Sequence, residues 1–83
     1  MPERIGILGA GSWGTALAVL LAENGHAVTL WEFRPDVAAV IHQTRLNQDV
    51  LPDVKIPASV TVTSVLADTV QNMDLLVLAA PSH

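Results

Sequence analysis

The chain contains no cysteine and no tyrosine, and it has few aromatic and few positively charged residues. Without cysteine, neither a disulfide framework nor a thiolate metal site can form, and the three histidines lie far apart in the sequence. Lys and Arg number 4 against 8 Asp and Glu, which gives a net charge of -4 and excludes a basic surface for nucleic acid. We therefore predict no metal site and no nucleic-acid partner.

Long apolar runs are also missing. No stretch approaches the ~20 apolar residues that a bilayer requires, and the N-terminus has neither a basic region nor a small-residue cleavage site. We therefore expect a cytoplasmic protein that does not contact a membrane. The 83 residues, of which 51% are hydrophobic and 14% charged, are enough for one core and too few for two domains.

Short apolar segments alternate along the chain with segments of helical periodicity. The predicted strands are 4–8, 26–33, 59–64 and 75–82, and the predicted helices are 12–25, 36–45 and 64–71. The second helix carries an apolar stripe, predicted to face the sheet, at Val37, Val40, Ile41 and Thr44. This β-α-β-α-β-α-β order predicts an α/β fold, a Rossmann-like doubly wound parallel sheet with strand order 3-2-1-4 and further strands beyond the fourth.

Three glycines form the G-x-G-x-x-G pattern between the first predicted strand and the first predicted helix. Gly9 permits a tight turn, Gly11 lets the backbone approach a pyrophosphate, and Gly14 lets the helix pack closely on the strand. The N–H groups at the start of that helix favour an anion. The pattern predicts binding of NAD or NADP; the alternative is that the glycines serve the turn alone.

The end of the second predicted strand carries a mixed signal for the ribose of the cofactor. Glu32 lies 18 residues after Gly14, close to the separation of about 20 residues at which a carboxylate reaches the ribose hydroxyls of NAD. Arg34 instead offers a planar fork for the 2′-phosphate of NADP. Phe33, between them, either flanks the adenine or covers the core. The alternative for Glu32 is a solvated strand end, and the alternative for Arg34 is a solvated charge beside the start of a helix.

Two further residues are candidates for cofactor contact. Pro81 follows the fourth predicted strand at the sheet edge where open α/β folds bind ligands, so it either touches the nicotinamide side or forms an ordinary turn. Trp13 is a large side chain in a turn of small residues. It fills the space at the start of the helix, forms a wall of the cofactor groove, or contacts a second domain beyond this chain.

Four segments of the sequence together resemble the NAD(P)-dependent glycerol-3-phosphate dehydrogenases of bacteria. They are GAGSWGTALA at 9–18, NGHAVTLW at 24–31, RLNQDVLP at 45–52 and LAAPSH at 78–83. Their order and spacing are similar to those of the family's N-terminal domain, and the resemblance covers almost the whole chain. Its most specific residues, beyond the glycines, are Trp13, Arg45, Asn47, Leu51 and Pro52.

The resemblance implies an enzyme that interconverts sn-glycerol 3-phosphate and dihydroxyacetone phosphate with NAD or NADP, in glycerophospholipid synthesis. It implies cofactor contacts from Ser12, Trp13, Phe33 and Arg34, and a homo-oligomer. The family's catalytic lysine and substrate ligands lie beyond the fourth strand and in a C-terminal helical domain. We therefore expect residues 1–83 to be a partial dinucleotide-binding domain, with no catalytic residue and no activity alone.

Two other functions remain open at this stage. The chain is alternatively a non-catalytic NAD(H)-binding module, or the nucleotide-binding half of a hydroxyacid or sugar-nucleotide dehydrogenase. If the domain is partial, the fourth strand lacks its next neighbour and is predicted to be an exposed apolar edge that promotes self-association.

Overall fold

A computed structural model of the protein describes residues 2–79. All four strands run parallel in one sheet, and from one edge to the other they follow the chain order third, second, first, fourth, which confirms the predicted topology. The strands are β1 (Arg4–Leu8), β2 (Ala27–Trp31), β3 (Thr61–Thr63) and β4 (Leu75–Leu78), and the helices are α1 (Ser12–Glu23), α2 (Pro35–Thr44) and α3 (Leu66–Val70). None of these helices is long and apolar enough to cross a membrane.

The second strand is shorter than predicted, and the difference moves the candidate ribose residues into a loop. Strand β2 ends at Trp31, and the last sheet-like hydrogen bond runs from the Glu32 N–H to the Thr63 carbonyl at 2.9 Å. Pro35 is the first residue of α2, so Arg34 before it is extended, with ψ of 113°. The chain therefore turns from sheet to helix within residues 32–34.

The core lies between the two central strands and the helices that cover them. Ile7 of β1 and Leu30 of β2 have no exposed surface, and Ile41 of α2 is almost fully buried. The loop between α2 and β3 adds Ile56 and Val60, each about 1% exposed. This loop is thus part of the packed structure, since two of its apolar side chains complete the core.

The face of α2 that packs on the sheet differs from the predicted stripe. Ala38 and Ile41 are buried, whereas Val40 is 56% exposed and Thr44 is also exposed. The Thr44 hydroxyl donates instead to the Val40 carbonyl of its own helix at 2.8 Å. The prediction for Val40 and Thr44 was therefore wrong, because apolar residues occur on more than one side of α2 and a small alanine permits the closer contact.

Arg45 stabilises the loop that follows α2 through hydrogen bonds. Its backbone is left-handed, with φ of 63°, and its carbonyl accepts the Ile56 N–H at 2.8 Å. Its Nη1 donates to the carbonyls of Pro57 at 3.1 Å and Val60 at 2.7 Å. One side chain thus satisfies two loop carbonyls and closes residues 46–60 against the end of α2.

Asp74 anchors the start of β4 to the start of β1. Its Oδ2 accepts the Arg4 N–H at 2.8 Å, and its own N–H donates to the Arg4 carbonyl at 2.8 Å. The Arg4 backbone N–H, and then the Arg4 guanidinium, hold the pKa of the Asp74 carboxyl below its ordinary value. The carboxylate form of Asp74 is therefore the form that the fold favours.

Strand β4 lies at one edge of the sheet and is apolar and open to solvent. Leu75 is 52%, Leu76 45% and Leu78 76% exposed. This confirms the predicted apolar edge; whether it recruits a second chain stays a prediction.

Candidate dinucleotide-binding site

A cavity of about 540 Å³ opens at the carboxyl ends of β1 and β2. This is the edge at which open parallel sheets bind ligands, and the volume falls in the ordinary range for small-molecule sites. Its lining comes from the end of β1 and the glycine turn, from the end of β2 and the turn after it, and from three apolar side chains of other segments. These residues are, in that order, Leu8, Gly9, Ala10 and Gly11; Trp31, Glu32, Phe33 and Arg34; and Val50, Leu66 and Leu78.

The glycine turn gives this cavity a backbone wall. Gly9 has a φ of 126°, a conformation that side chains disfavour, so the turn requires glycine there. Among residues 2–79, a Cβ on Gly11 would meet nothing within 4 Å, so this position is open to a close-lying ligand. No side chain of the described part of the chain caps α1 at Gly11, which leaves its first-turn N–H groups to bind an anion.

Gly14 has a different role, in packing. A Cβ there would collide with the Gly9 carbonyl oxygen and would lie 3.0 Å from the Ala79 Cβ. The absence of a side chain lets α1 lie directly against the turn and the end of β4. Gly14 is therefore buried under the site and does not line the cavity.

The predicted site residues do not all meet in the cavity. Ser12 and Trp13 lie in the first turn of α1 with exposed side chains, Trp13 at 59%, and neither lines the cavity as residues 2–79 define it. Pro81 lies outside the described residues. The residues that the fold brings together at the cavity are Gly9, Gly11, Glu32, Phe33 and Arg34.

Glu32 and Arg34 form an ion pair at the cavity wall. Glu32 is 4% exposed, and its Oε1 accepts two hydrogen bonds from Arg34, from the backbone N at 3.1 Å and from Nε at 2.8 Å. The side-chain hydrogen bond with Glu32, and after it the negative charge of Glu32, raise the pKa of Arg34 above its ordinary value. Arg34 is therefore a permanent cation beside the cavity.

Phe33 offers the cavity an exposed aromatic face. Its ring is 65% exposed, with its centroid 6.4 Å from that of Trp31 and the planes tilted by 50°. Trp31 is itself fixed, because its Nε1 donates to the Ser64 carbonyl at 3.0 Å. Such exposure excludes the alternative that Phe33 covers the core, and it leaves a flat surface on which a planar ring can pack.

Asn47 supports the site from below, and its contacts were not predicted. Its side chain is buried, and Nδ2 donates to the Ala10 carbonyl at 2.8 Å and to the Thr15 hydroxyl at 3.0 Å. The Asn47 carbonyl accepts the N–H groups of Val50 and Leu51. Asn47 therefore joins the glycine turn to the loop whose Val50 side chain lines the cavity. The sequence pattern around a single polar residue in a loop does not indicate that its side chain contacts Ala10 and Thr15.

The chain is similar to known proteins over almost its whole length. Residues 4–83 match the family described as NAD-dependent glycerol-3-phosphate dehydrogenase N-terminus. The chain is 47% identical over 80 residues to a glycerol-3-phosphate dehydrogenase [NAD(P)+] of Agathobacter rectalis, covering 96% of this chain and 24% of that protein. The protein of the same name from Moorella thermoacetica is 47% identical over 83 residues, covering 100% of this chain and 25% of the relative.

A solved structure shares the fold as well. The glycerol-3-phosphate dehydrogenase of Coxiella burnetii superimposes with a TM-score of 0.85 at 32% identity, over 93% of this chain and 24% of that one. The chain thus spans about a quarter of the length of the proteins it matches. With the profile match over residues 4–83, the sequence belongs to the NAD-dependent glycerol-3-phosphate dehydrogenase family, to whose N-terminal part it corresponds.

Proposed function

We propose that residues 1–83 form the cofactor-binding part of an NAD(P)-dependent glycerol-3-phosphate dehydrogenase. The observation that carries this proposal is the cavity at the strand ends, where the glycine turn faces the Glu32–Arg34 pair. The reaction is sn-glycerol 3-phosphate + NAD(P)+ = dihydroxyacetone phosphate + NAD(P)H. The same reaction, run towards glycerol 3-phosphate, supplies glycerophospholipid synthesis.

The residues of the cavity suit the parts of a dinucleotide. The open space at Gly11 and the uncapped first turn of α1 fit the pyrophosphate, with Ser12 and Trp13 beside it. Phe33 packs against the adenine, and the charged pair meets the adenosine ribose. The cofactor supplies hydride exchange at its nicotinamide; the chain contributes binding and orientation.

The remaining parts of the proposal concern groups beyond the described cavity. Pro81 contacts the nicotinamide side. The acid-base catalyst and the ligands of the triose phosphate lie outside residues 1–83, so the chain alone has no dehydrogenase activity. The enzyme acts in the cytoplasm as a homo-oligomer.

Titration with NADH and NADPH tests the binding half of the proposal, with the quenching of Trp31 and Trp13 fluorescence as the readout. A chimera tests the reaction: this chain replaces the matching first quarter of the Moorella thermoacetica relative, and reduction of dihydroxyacetone phosphate is measured. We expect turnover by the chimera and none by the chain alone. A folded chimera that binds cofactor without turning over substrate would contradict the proposed reaction, and absence of binding by the chain would contradict the proposed site.

A further inference from the structure

Glu32 occupies the sequence position of the ribose-binding acid but has different contacts. In dinucleotide-binding folds, the acid after the second strand accepts hydrogen bonds from ribose hydroxyls. Here Oε1 of Glu32 already accepts two, both from Arg34, and the residue is 4% exposed. In this fold, the Glu32 carboxylate is therefore already bound to Arg34, a cation of the same chain.

The same contacts orient the guanidinium of Arg34. Glu32 binds Nε, and the guanidinium carbon lies 5.3 Å from the centroid of the Phe33 ring. Within residues 2–79, no protein acceptor lies within hydrogen-bond distance of Nη1 or Nη2, and the side chain is 54% exposed. The Nη edge is thus held in place and left available beside the cavity, in the geometry that suits a phosphate.

We propose that Glu32 is a positioning residue, which holds Arg34 for the 2′-phosphate of NADP(H) and so makes the site prefer NADP(H) to NAD(H). The inference rests on the proposed cofactor site. Glu32 thereby acts on the 2′-phosphate through Arg34.

The negative charge of Glu32 does not cancel this effect. The carboxylate takes the Nε side of the guanidinium, while a phosphate would take the Nη edge, so the cation lies between the two anions. Arg34 without Glu32 would be a long, flexible side chain that loses its rotamer freedom when the phosphate binds. Holding it in advance removes that loss from the binding step.

The experiment measures the ratio of NADPH to NADH affinity for the chain and its variants. We expect Glu32→Ala to lower this ratio about fivefold, the effect of ordering one rotamer-rich side chain. Glu32→Gln should retain the ratio, because the amide oxygen still accepts from Arg34. Asp36→Ala and Asp36→Asn are the matched controls, since Asp36 acts on Arg34 through its charge without a hydrogen bond, and we expect the ratio to stay unchanged.

A double variant separates positioning from a general structural role. In an Arg34→Ala background, Glu32→Ala should no longer change the ratio. NADH affinity serves as the check that each variant is folded. If Glu32→Ala raises the ratio, or weakens NADH as much as NADPH, or acts equally without Arg34, Glu32 is not the positioning residue. If the unmodified chain binds neither cofactor, the proposed function itself fails.

Discussion

Replacing Gly14 and Gly11 separately by alanine should divide the glycine turn into a packing position and a ligand position. At Gly14 the new methyl group would collide with the Gly9 carbonyl oxygen and press on Ala79. The Gly9 oxygen belongs to the backbone, so only a shift of α1 away from the turn relieves the contact. At Gly11 the methyl group would have no neighbour within 4 Å among the residues that the structure describes, and φ there is an ordinary −74°.

The expected magnitudes differ accordingly. A backbone collision lies at the upper end of overpacking costs, so Gly14→Ala should lower the free energy of unfolding by about 3 kcal/mol. This is a large part of the roughly 4–12 kcal/mol expected for a domain of this size. Gly11→Ala should cost about 0.5–1 kcal/mol, because alanine is a poorer helix N-cap than glycine.

Cofactor binding should reveal the ligand role of Gly11, whose substitution costs little stability. The methyl group on Gly11 would occupy the place of a close-lying pyrophosphate, and loss of one charge-assisted hydrogen bond of about 1.5–3 kcal/mol weakens NADH at least about tenfold. Urea denaturation followed by circular dichroism, with NADH titration of each variant, provides both readouts. Equal unfolding midpoints for the two variants, or unchanged NADH affinity in Gly11→Ala, would refute this assignment of roles.

Three further predictions concern the surroundings of the site. Asn47→Ala leaves two buried oxygens without a donor and should reduce the free energy of unfolding by about 1–3 kcal/mol, whereas the exposed control Gln48→Ala should change it by less than about 0.5 kcal/mol in urea denaturation. The pKa of Asp74 is lowered in the folded state, so the stabilisation by its carboxylate is present above its ordinary pKa and is lost as the pH falls below that value. The urea midpoint of the unmodified chain should therefore fall between about pH 6 and pH 3, and the midpoint of Asp74→Asn should depend less on pH over this range. An equal dependence on pH in both proteins would argue against this role of Asp74. Leu75→Lys places a charge on the exposed edge of β4 and should reduce self-association, measured by sedimentation velocity. If the unmodified chain is already monomeric at high concentration, the edge does not promote self-association and this prediction is wrong.

The topology and the glycine turn were predictable because their signals are local. The predicted strands are short apolar or alternating segments separated by helical periodicity, and the doubly wound dinucleotide-binding fold that this order indicates has its strands in the order 3-2-1-4. The roles of Gly9 and Gly14 follow from a motif placed between a strand and a helix. The structure agrees with both: a positive φ at the first position and no space for a side chain at the last.

The contacts that join distant segments were not predictable. Asn47 is 37 residues from Ala10 in sequence, and no periodic pattern connects them. The Glu32–Arg34 pair depends on the rotamers of two side chains in a turn, which spacing alone does not specify. The exposed face of α2 could not be predicted either, since its apolar residues occupy more than one side of the helix. Which side packs on the sheet depends on the fit of Ala38 against the strands.

The two hydrogen bonds of the Asn47 amide make the glycine turn and the loop after α2 a single unit of local unfolding. Opening either segment breaks the same buried bonds, so their backbone amides should exchange with solvent at a common free energy. A ligand that binds the closed turn suppresses this opening by mass action. Amide exchange in residues 47–51 therefore reports occupancy of the turn, although of these residues only Val50 lines the cavity.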